Sequence, residues 1–411
     1  MGAAVVTNYL MKKTTFLIGS IALLGYTAPA QDTAQSETKI DKSEVELVYN
    51  HYIQDGNRSA VTGGIGTEAL TVYGPAVNIK RSRNKNALSF NVGTDIITSA
   101  SIDNIDIIKS SASYTDIHAY TYGILEHALR KDLTIYGGMG FSVESDYFSY
   151  SGRIGFTKED TKRQRTYHAD LQVFNDDLRW GRINESYFKA ETLIYPAELR
   201  YKEWYDVYKR YSYNLKLGVT QIINKRNVFG IYPELTYQQG LLSTPFHRIY
   251  FSDGSLAVEQ LPESRLKAAL ALKWNSFSGG RVVLKNTVNG YTDDFGIHAL
   301  ALENETAIKL NREVTLLPNA RIYFQKGSPY FKPYKEHISS ERFYTSDYDL
   351  ATFTSYNLGL GFRYNPFKYL GKTFLFNGMT LRYNYYQRSN GLSAHILSAA
   401  FQTTMFRKMK S

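Results

Sequence analysis

Ser243, His247 and Arg248 fall within one short stretch, Ser243-Thr-Pro-Phe-His-Arg248, and a serine beside a histidine is the pair from which hydrolytic nucleophiles are made. The spacing argues against that chemistry. Nucleophile and base normally come from separate elements, and no Gly-x-Ser-x-Gly elbow presents this serine. These residues, with Pro245 among them, are expected to pack a loop or touch a ligand. Thr62-Gly-Gly-Ile-Gly-Thr-Glu68 has the glycine content of a phosphate-cradling turn, but no Lys-Ser/Thr ends it and no helical pattern follows. Thr62, Gly63, Gly64, Gly66 and Glu68 are expected in a glycine-rich loop, as loop or ligand contacts. Tyr344, Asp347 and Asp349, in an aromatic and acidic stretch, carry the same expectation. Asp103 with Asp106, Asp293 with Asp294, and Asp347 with Asp349 pair oxygens without the spacing of a calcium loop. The 8 histidines include no His-x-x-x-His and there are 0 cysteines. No catalytic residue, metal site, disulfide or cofactor is therefore expected.

The elements that carry these loops repeat with period two. In Ser355 to Asn365, Tyr356, Leu358, Leu360, Phe362 and Tyr364 share one side of a strand, while Asn357, Gly359, Gly361, Arg363 and Asn365 share the other. Tyrosine at each end with leucine and phenylalanine between is the order of an aromatic girdle around a lipid-facing band. Leu88, Phe90, Val92 and Tyr213, Leu215, Leu217, Val219 repeat the alternation. The expected fold is all-β: a transmembrane antiparallel β-barrel of about sixteen strands, with about fourteen as the alternative, and long extracellular loops. A secreted β-sandwich or β-solenoid also alternates, but needs no tyrosine girdle and no regular long-short connections.

The connections carry a second signal. Long ones, at 55–70, 97–113, 175–210, 239–265 and 326–354, all fall in odd places, whereas most even ones are short and basic. Both termini then lie at the rim of short turns, and the strand number is even. The connection 366–376 is the exception, longer than a tight turn and partly apolar. Phe406 resembles the terminal aromatic read by barrel-insertion machinery, although residues 407–411 follow it.

Composition fits this reading. The chain of 411 residues holds 34 tyrosines and 22 phenylalanines, yet its mean hydropathy is −0.34, as for an aromatic-girdled wall around a polar lumen. Residues 1–30 read as a secretory signal with Lys12 and Lys13, an apolar run from Phe16 to Leu24, and Ala28-Pro-Ala30; Met11 is the expected start. Residues 31–43 read as a flexible periplasmic lead and 44–411 as one barrel domain, placed in the outer membrane of a Gram-negative bacterium. The formal charge of +10 comes from basic residues spread through short turns, so nucleic acid is not an expected partner. The expected partners are outer-membrane lipid, the insertion machinery, and a small solute or a protein at the loops.

On the side of the strands away from lipid, Lys216, Lys267, Lys273, Arg321, Arg363 and Arg382 mix with Asp95, Glu234, Glu303 and Glu305. Such charges either screen one another or set an ion preference. The first functional expectation is a channel for small polar or anionic solutes gated by extracellular loops, and not an enzyme. The alternative is a closed barrel serving as a binding or assembly platform, and a rim hydrolase stands third.

Four segments resemble a Gram-negative outer-membrane family catalogued as domain of unknown function 3570: Tyr52-Ile-Gln-Asp-Gly-Asn-Arg-Ser-Ala-Val-Thr-Gly-Gly-Ile-Gly-Thr-Glu68, Ser99-Ala-Ser-Ile-Asp-Asn-Ile-Asp106, Tyr237-Gln-Gln-Gly-Leu-Leu-Ser-Thr-Pro-Phe-His-Arg248 and Phe343-Tyr-Thr-Ser-Asp-Tyr-Asp349. The resemblance implies a β-barrel of unassigned activity, with no catalytic residues to carry over. Its motifs coincide with the long connections, and residues 180–210 depart from it.

Overall fold

The computed structural model describes residues 41–99, 116–144, 147–178, 209–244 and 247–406. The expected signal segment, the loop segment Ser99 to Asp106 beyond its first residue, most of the 175–210 connection, Pro245 and the basic tail lie outside these residues. The strands are β1 (Asp41–Asp55), β2 (Leu70–Arg83), β3 (Asn86–Ser99), β4 (Asp116–Arg130) and β5 (Leu133–Glu144). There follow β6 (Tyr147–Asp160), β7 (Arg165–Asp177), β8 (Lys209–Asn224), β9 (Asn227–Gly240), and the short β10 (Arg248–Tyr250) and β11 (Leu256–Val258). The second half holds β12 (Ser264–Ser278), β13 (Val282–Asp293), β14 (His298–Lys309), β15 (Val314–Lys326) and β16 (Phe353–Tyr364). The short β17 (Lys368–Leu370), then β18 (Phe374–Arg388) and β19 (Ser393–Phe406), end the chain.

One 17-stranded sheet contains β17 and the sixteen long strands, and the long ones form a closed antiparallel barrel. Closure runs from Lys42 opposite Phe406 to Asp55 opposite Ser393, and β1 pairs on its other edge with β2. No long strand keeps a free edge, which satisfies the backbone where no water can do so. The ladders extend beyond the alternating apolar residues. Thus β1 begins at Asp41, inside the stretch expected as a flexible lead.

The alternation sorts the two faces. In β16, Tyr356, Leu358 and Leu360 are 43%, 54% and 56% exposed, while Asn357 between them is 7% exposed. Leu47, Phe90, Leu125, Ile154, Leu217, Leu270, Ile322 and Leu397 continue the exposed apolar belt around the wall. A continuous belt of this size on a single chain is a lipid-facing surface. The protein is a membrane-spanning β-barrel.

Short turns such as 84–85, 131–132 and 225–226 share one rim with the ends of β1 and β19, and the long loops occupy the other. The exceptional connection after β16 resolves into β17, which pairs with Phe374–Phe376 and prolongs the wall beyond the rim. At the loop-bearing rim the inward-facing Tyr52, Leu70, Val72, Ile97, Tyr386 and Ala394 cluster with Leu392. A small apolar core thus sits inside the lumen's end, each large side chain contributing about 1.5–3 kcal/mol by leaving water.

The two faces predict opposite tolerances. Leu358→Arg, in the middle of the lipid-facing side of β16, should destabilise the folded barrel by about 2–4 kcal/mol, whereas Lys216→Arg on the inward side of β8 should change it by less than about 0.5 kcal/mol. Urea titration of the barrel refolded in lipid vesicles measures both. Equal effects would contradict the assignment of faces.

Candidate functional site at the loop-bearing rim

Three connections meet at this rim: 56–69 between β1 and β2, 241–263 between β9 and β12, and 327–352 between β15 and β16. The first is wound tightly on itself. The Ser59 carbonyl accepts from Thr62 N–H at 3.2 Å and Gly64 N–H at 2.8 Å, and Thr62 Oγ1 donates to the Ile65 carbonyl. Gly63 and Gly64 have φ of +81° and +85°, and a Cβ at Gly63 would lie 2.5 Å from Tyr250 Cδ2. Glycine here serves both the turn and the approach of the second loop.

The second loop contains the hairpin β10–β11, closed by Phe251 N–H on the Ser255 carbonyl at 3.0 Å. The third ends in a short 3₁₀ turn over Tyr348–Leu350, capped by Asp347, whose Oδ1 accepts from Asp349 N–H at 2.8 Å. Between these two loops, Gln260 and Tyr344 exchange backbone hydrogen bonds at 3.1 and 2.8 Å. Ser252 N–H donates to the His337 carbonyl at 2.8 Å and Lys335 N–H to the Tyr250 carbonyl at 3.1 Å. Ser346 Oγ donates to the Arg248 carbonyl at 2.9 Å and lies 3.4 Å from the Ala60 carbonyl, so a single hydroxyl contacts both other loops.

Inward-facing side chains grip this assembly from the wall. Gln54 Nε2 donates to the Glu68 carbonyl at 2.9 Å. Gln325 Nε2 donates to the carbonyls of Asp349 and Ala351, each at 2.8 Å. Arg388 Nη1 meets Asp349 Oδ1 at 2.5 Å, its Nε donates to Tyr386 Oη at 2.7 Å, and its guanidinium lies 4.7 Å from the Phe353 ring centre. The loops therefore fold inward over the mouth instead of standing above it.

His247 is 2% exposed, with Nδ1 3.2 Å from Glu259 Oε1, and Thr345 Oγ1 donates to the same carboxylate. Burial alone pulls the imidazole pKa down, but the Glu259 carboxylate overrides it and leaves it above the ordinary value. Ser243 Oγ accepts from Leu261 N–H at 2.8 Å. Both members of the suspected nucleophile pair are thus employed in closing loops. Burial, then the charges of Asp349 and Asp347, raises Glu68 to about 8, against the opposing pull of Arg388. Burial and Asp349 likewise raise Asp347 to about 7. Asp293 accepts from Ile297 N–H at 3.0 Å, closing the tight loop before β14, and Asp294 accepts from Leu266 N–H at 2.9 Å, tying that loop to β12. Among the described residues no group of acids and histidines is arranged to hold a metal.

The structure brings Thr62, Gly63, Gly64, Gly66, Glu68, Ser243, His247, Arg248, Tyr344, Asp347 and Asp349 into this one assembly. The lumen residues lie apart from it and are largely paired with each other. Lys216 meets Glu234 at 3.7 Å, Arg321 meets Glu303 at 2.8 Å, and Glu305 bridges Arg382 at 2.5 Å and Lys285 at 2.8 Å. Asp95 lies 3.3 Å from His118, and Lys273 sits over the Tyr232 ring at 5.0 Å. Lys267 takes an inward position on β12, and Arg363 reaches Thr380 Oγ1 at 3.4 Å. Arg388, Glu259, Thr345, Gln54 and Gln325 were not anticipated. The inward parity that picks out Arg382 also picks out Arg388, whereas nothing local marks Glu259 or Thr345.

Closed barrel and inward-folded loops define a membrane barrel with a covered mouth. The chain belongs to the family described as protein of unknown function (DUF3570), whose model matches residues 111–405. Of the resembling segments, 237–248 and 343–349 lie within the match, and 52–68 and 99–106 precede it. No curated protein matches the sequence. Among solved structures the chain is similar to a BenF-like porin from Pseudomonas fluorescens Pf-5, at 8% identity and TM-score 0.43, covering 89% of this chain and 99% of that one. It is similar also to a bacterial polysaccharide outer membrane secretin, at 11% and 0.43 over 89% and 98%. OccK1 (OpdK) from Pseudomonas aeruginosa matches at 6% and 0.40 over 89% and 100%.

Arg388→Met keeps much of the side chain's length and removes the charge. Loss of the charge-assisted bond to Asp349 should weaken docking of residues 327–352 by about 2 kcal/mol. Hydrogen–deuterium exchange of these amides should accelerate while the strands stay protected; unchanged loop protection would deny Arg388 this role.

Proposed function

We propose that the protein is an outer-membrane channel for small polar solutes, with the long-loop rim extracellular and the three interlocked loops acting as its gate. The export signal in the sequence and the lipid-facing belt support the location. The observation that carries the gate is the seating of Glu68, Asp349 and Ala351 on Gln54, Gln325 and Arg388, which anchors loops to the inner wall by side-chain contacts that can be broken and remade. A barrel of sixteen strands is wide enough for water. Lys216, Arg321 and Arg382 being paired with acids while Arg363 reaches a hydroxyl, the pathway below the gate favours anions only weakly.

Replacing residues 331–346 with a short Gly-Ser linker should raise conductance in planar bilayers several-fold over the full chain, with a cation-to-anion permeability ratio near unity. If neither protein conducts, the barrel is a closed platform and the channel reading falls.

A further inference from the structure

Lys285, Glu303, Glu305, Arg321, Arg363 and Arg382 face the lumen from β13, β14, β15, β16 and β18, and the cations among them outnumber the acids. Both acids are engaged. Glu303 Oε1 accepts from Arg321 Nε at 2.8 Å and from Asn289 Nδ2 at 3.3 Å. Glu305 gives one oxygen to Lys285 Nζ at 2.8 Å and the other to Arg382 Nη1 at 2.5 Å. Arg363 is left over. Its Nε lies 3.4 Å from Thr380 Oγ1, a long contact to a neutral hydroxyl, and among the described residues no carboxylate meets its guanidinium.

The ladder fixes where that guanidinium lies. Arg363 is opposite Thr380 and Gly361 opposite Arg382, so the two arginines share one face of β16 and β18 as diagonal neighbours, with backbones about 7 Å apart. A Cβ at Gly361 would lie 3.1 Å from Arg382 Cγ, so the Arg382 stem crosses this glycine on its way to Glu305. Glu305 is opposite Asn319, and Asn319 opposite Gly359, which puts that carboxylate on the far side of Gly361 from Arg363. Rigid strands thus hold two like charges side by side and give an acid to only one of them. An anion at the other relieves their repulsion. Arg363 is the penultimate residue of β16, close to the rim of short turns, and it stays partly exposed, so it is reached from that end of the lumen without passing the loops.

We propose that Arg363 is an oxyanion-docking site of the lumen, taking the carboxylate or phosphate group of a small solute, with Thr380 Oγ1 as the neighbouring hydroxyl and Arg382 as the second positive charge. The inference rests on the channel reading given above and names the solute's class. A planar guanidinium presents parallel N–H donors that match two oxygens of a carboxylate or phosphate, whereas chloride offers a single atom and lysine only a point charge. Recognition therefore comes from the fork more than from net charge, in keeping with a pathway that favours anions only weakly. A single unshared fork also binds loosely enough to release the solute again, as conduction requires.

Phosphate and acetate, added separately at the short-turn side of the full chain in planar bilayers at low salt, should each block the chloride current at millimolar concentration. Arg363→Gln should raise the half-blocking concentration at least ~10-fold, and Arg363→Lys, which keeps the charge but loses the fork, at least ~3-fold. The oxyanion with the lower half-blocking concentration identifies the group the solute carries. Binding is read independently of current from broadening of the phosphorus NMR resonance of inorganic phosphate by the detergent-solubilised barrel, which Arg363→Gln should abolish. A heat-dependent gel shift verifies that each variant is folded. A current that neither oxyanion blocks, or a block that either variant leaves unchanged, would overturn the docking site while the channel stands. Phosphate binding that Arg363→Gln abolishes, in a full chain that passes no current, would keep the docking site and remove the channel.

Discussion

A backbone amide in hydrocarbon has no water to bond, so a sheet crossing a membrane must pair every strand on both edges. The ladder between β1 and β19 supplies that closure, and much else in the molecule follows from it. An even number of antiparallel strands returns the chain to the rim where it began. That rim can then be served by the shortest turns that join adjacent strands. The other rim is free to carry long connections, because nothing in the ladder limits their length.

Freedom of length brings a second requirement. A loop that crosses an aqueous mouth must satisfy its own backbone or remain solvated, and these loops do the former by pairing with each other. Gln260 with Tyr344 and Ser252 with His337 are short pieces of sheet made between loops. The apolar cluster of Tyr52, Val72, Ile97 and Tyr386 lines the wall beside them. Its inward position departs from the polar lumen found lower in the barrel, and it gives the rim an apolar lining.

The period-two pattern made the wall legible from the sequence, since lipid outside and charge inside leave no freedom of register. Leu358 beside Arg363, or Leu217 beside Lys216, fixes a face without knowledge of the partner strand. Loop asymmetry was legible for the same reason: turn length is a local property. The hairpin β10–β11 and the prolongation by β17 were not, because three-residue strands carry too few alternations to register. Glu259 and Thr345, far apart in sequence, meet only when the loops fold. Ser243 and His247 illustrate the converse, since proximity in sequence suggested a pair and folding gave each a different partner.

The charged groups divide into two regimes, and the division bears on where control can reside. Along the wall, Glu305 with Arg382 and Lys285, and Glu303 with Arg321, are partners fixed on the barrel strands. Rigid strands cannot move apart when a proton binds, so titrating one partner changes local potential without changing shape. At the loop junction the pairs instead involve loop residues: Arg388 of β18 holds Asp349, and His247 holds Glu259. Contacts that can change without breaking a strand ladder therefore belong to the loops, even though more of the chain's charge lines the wall.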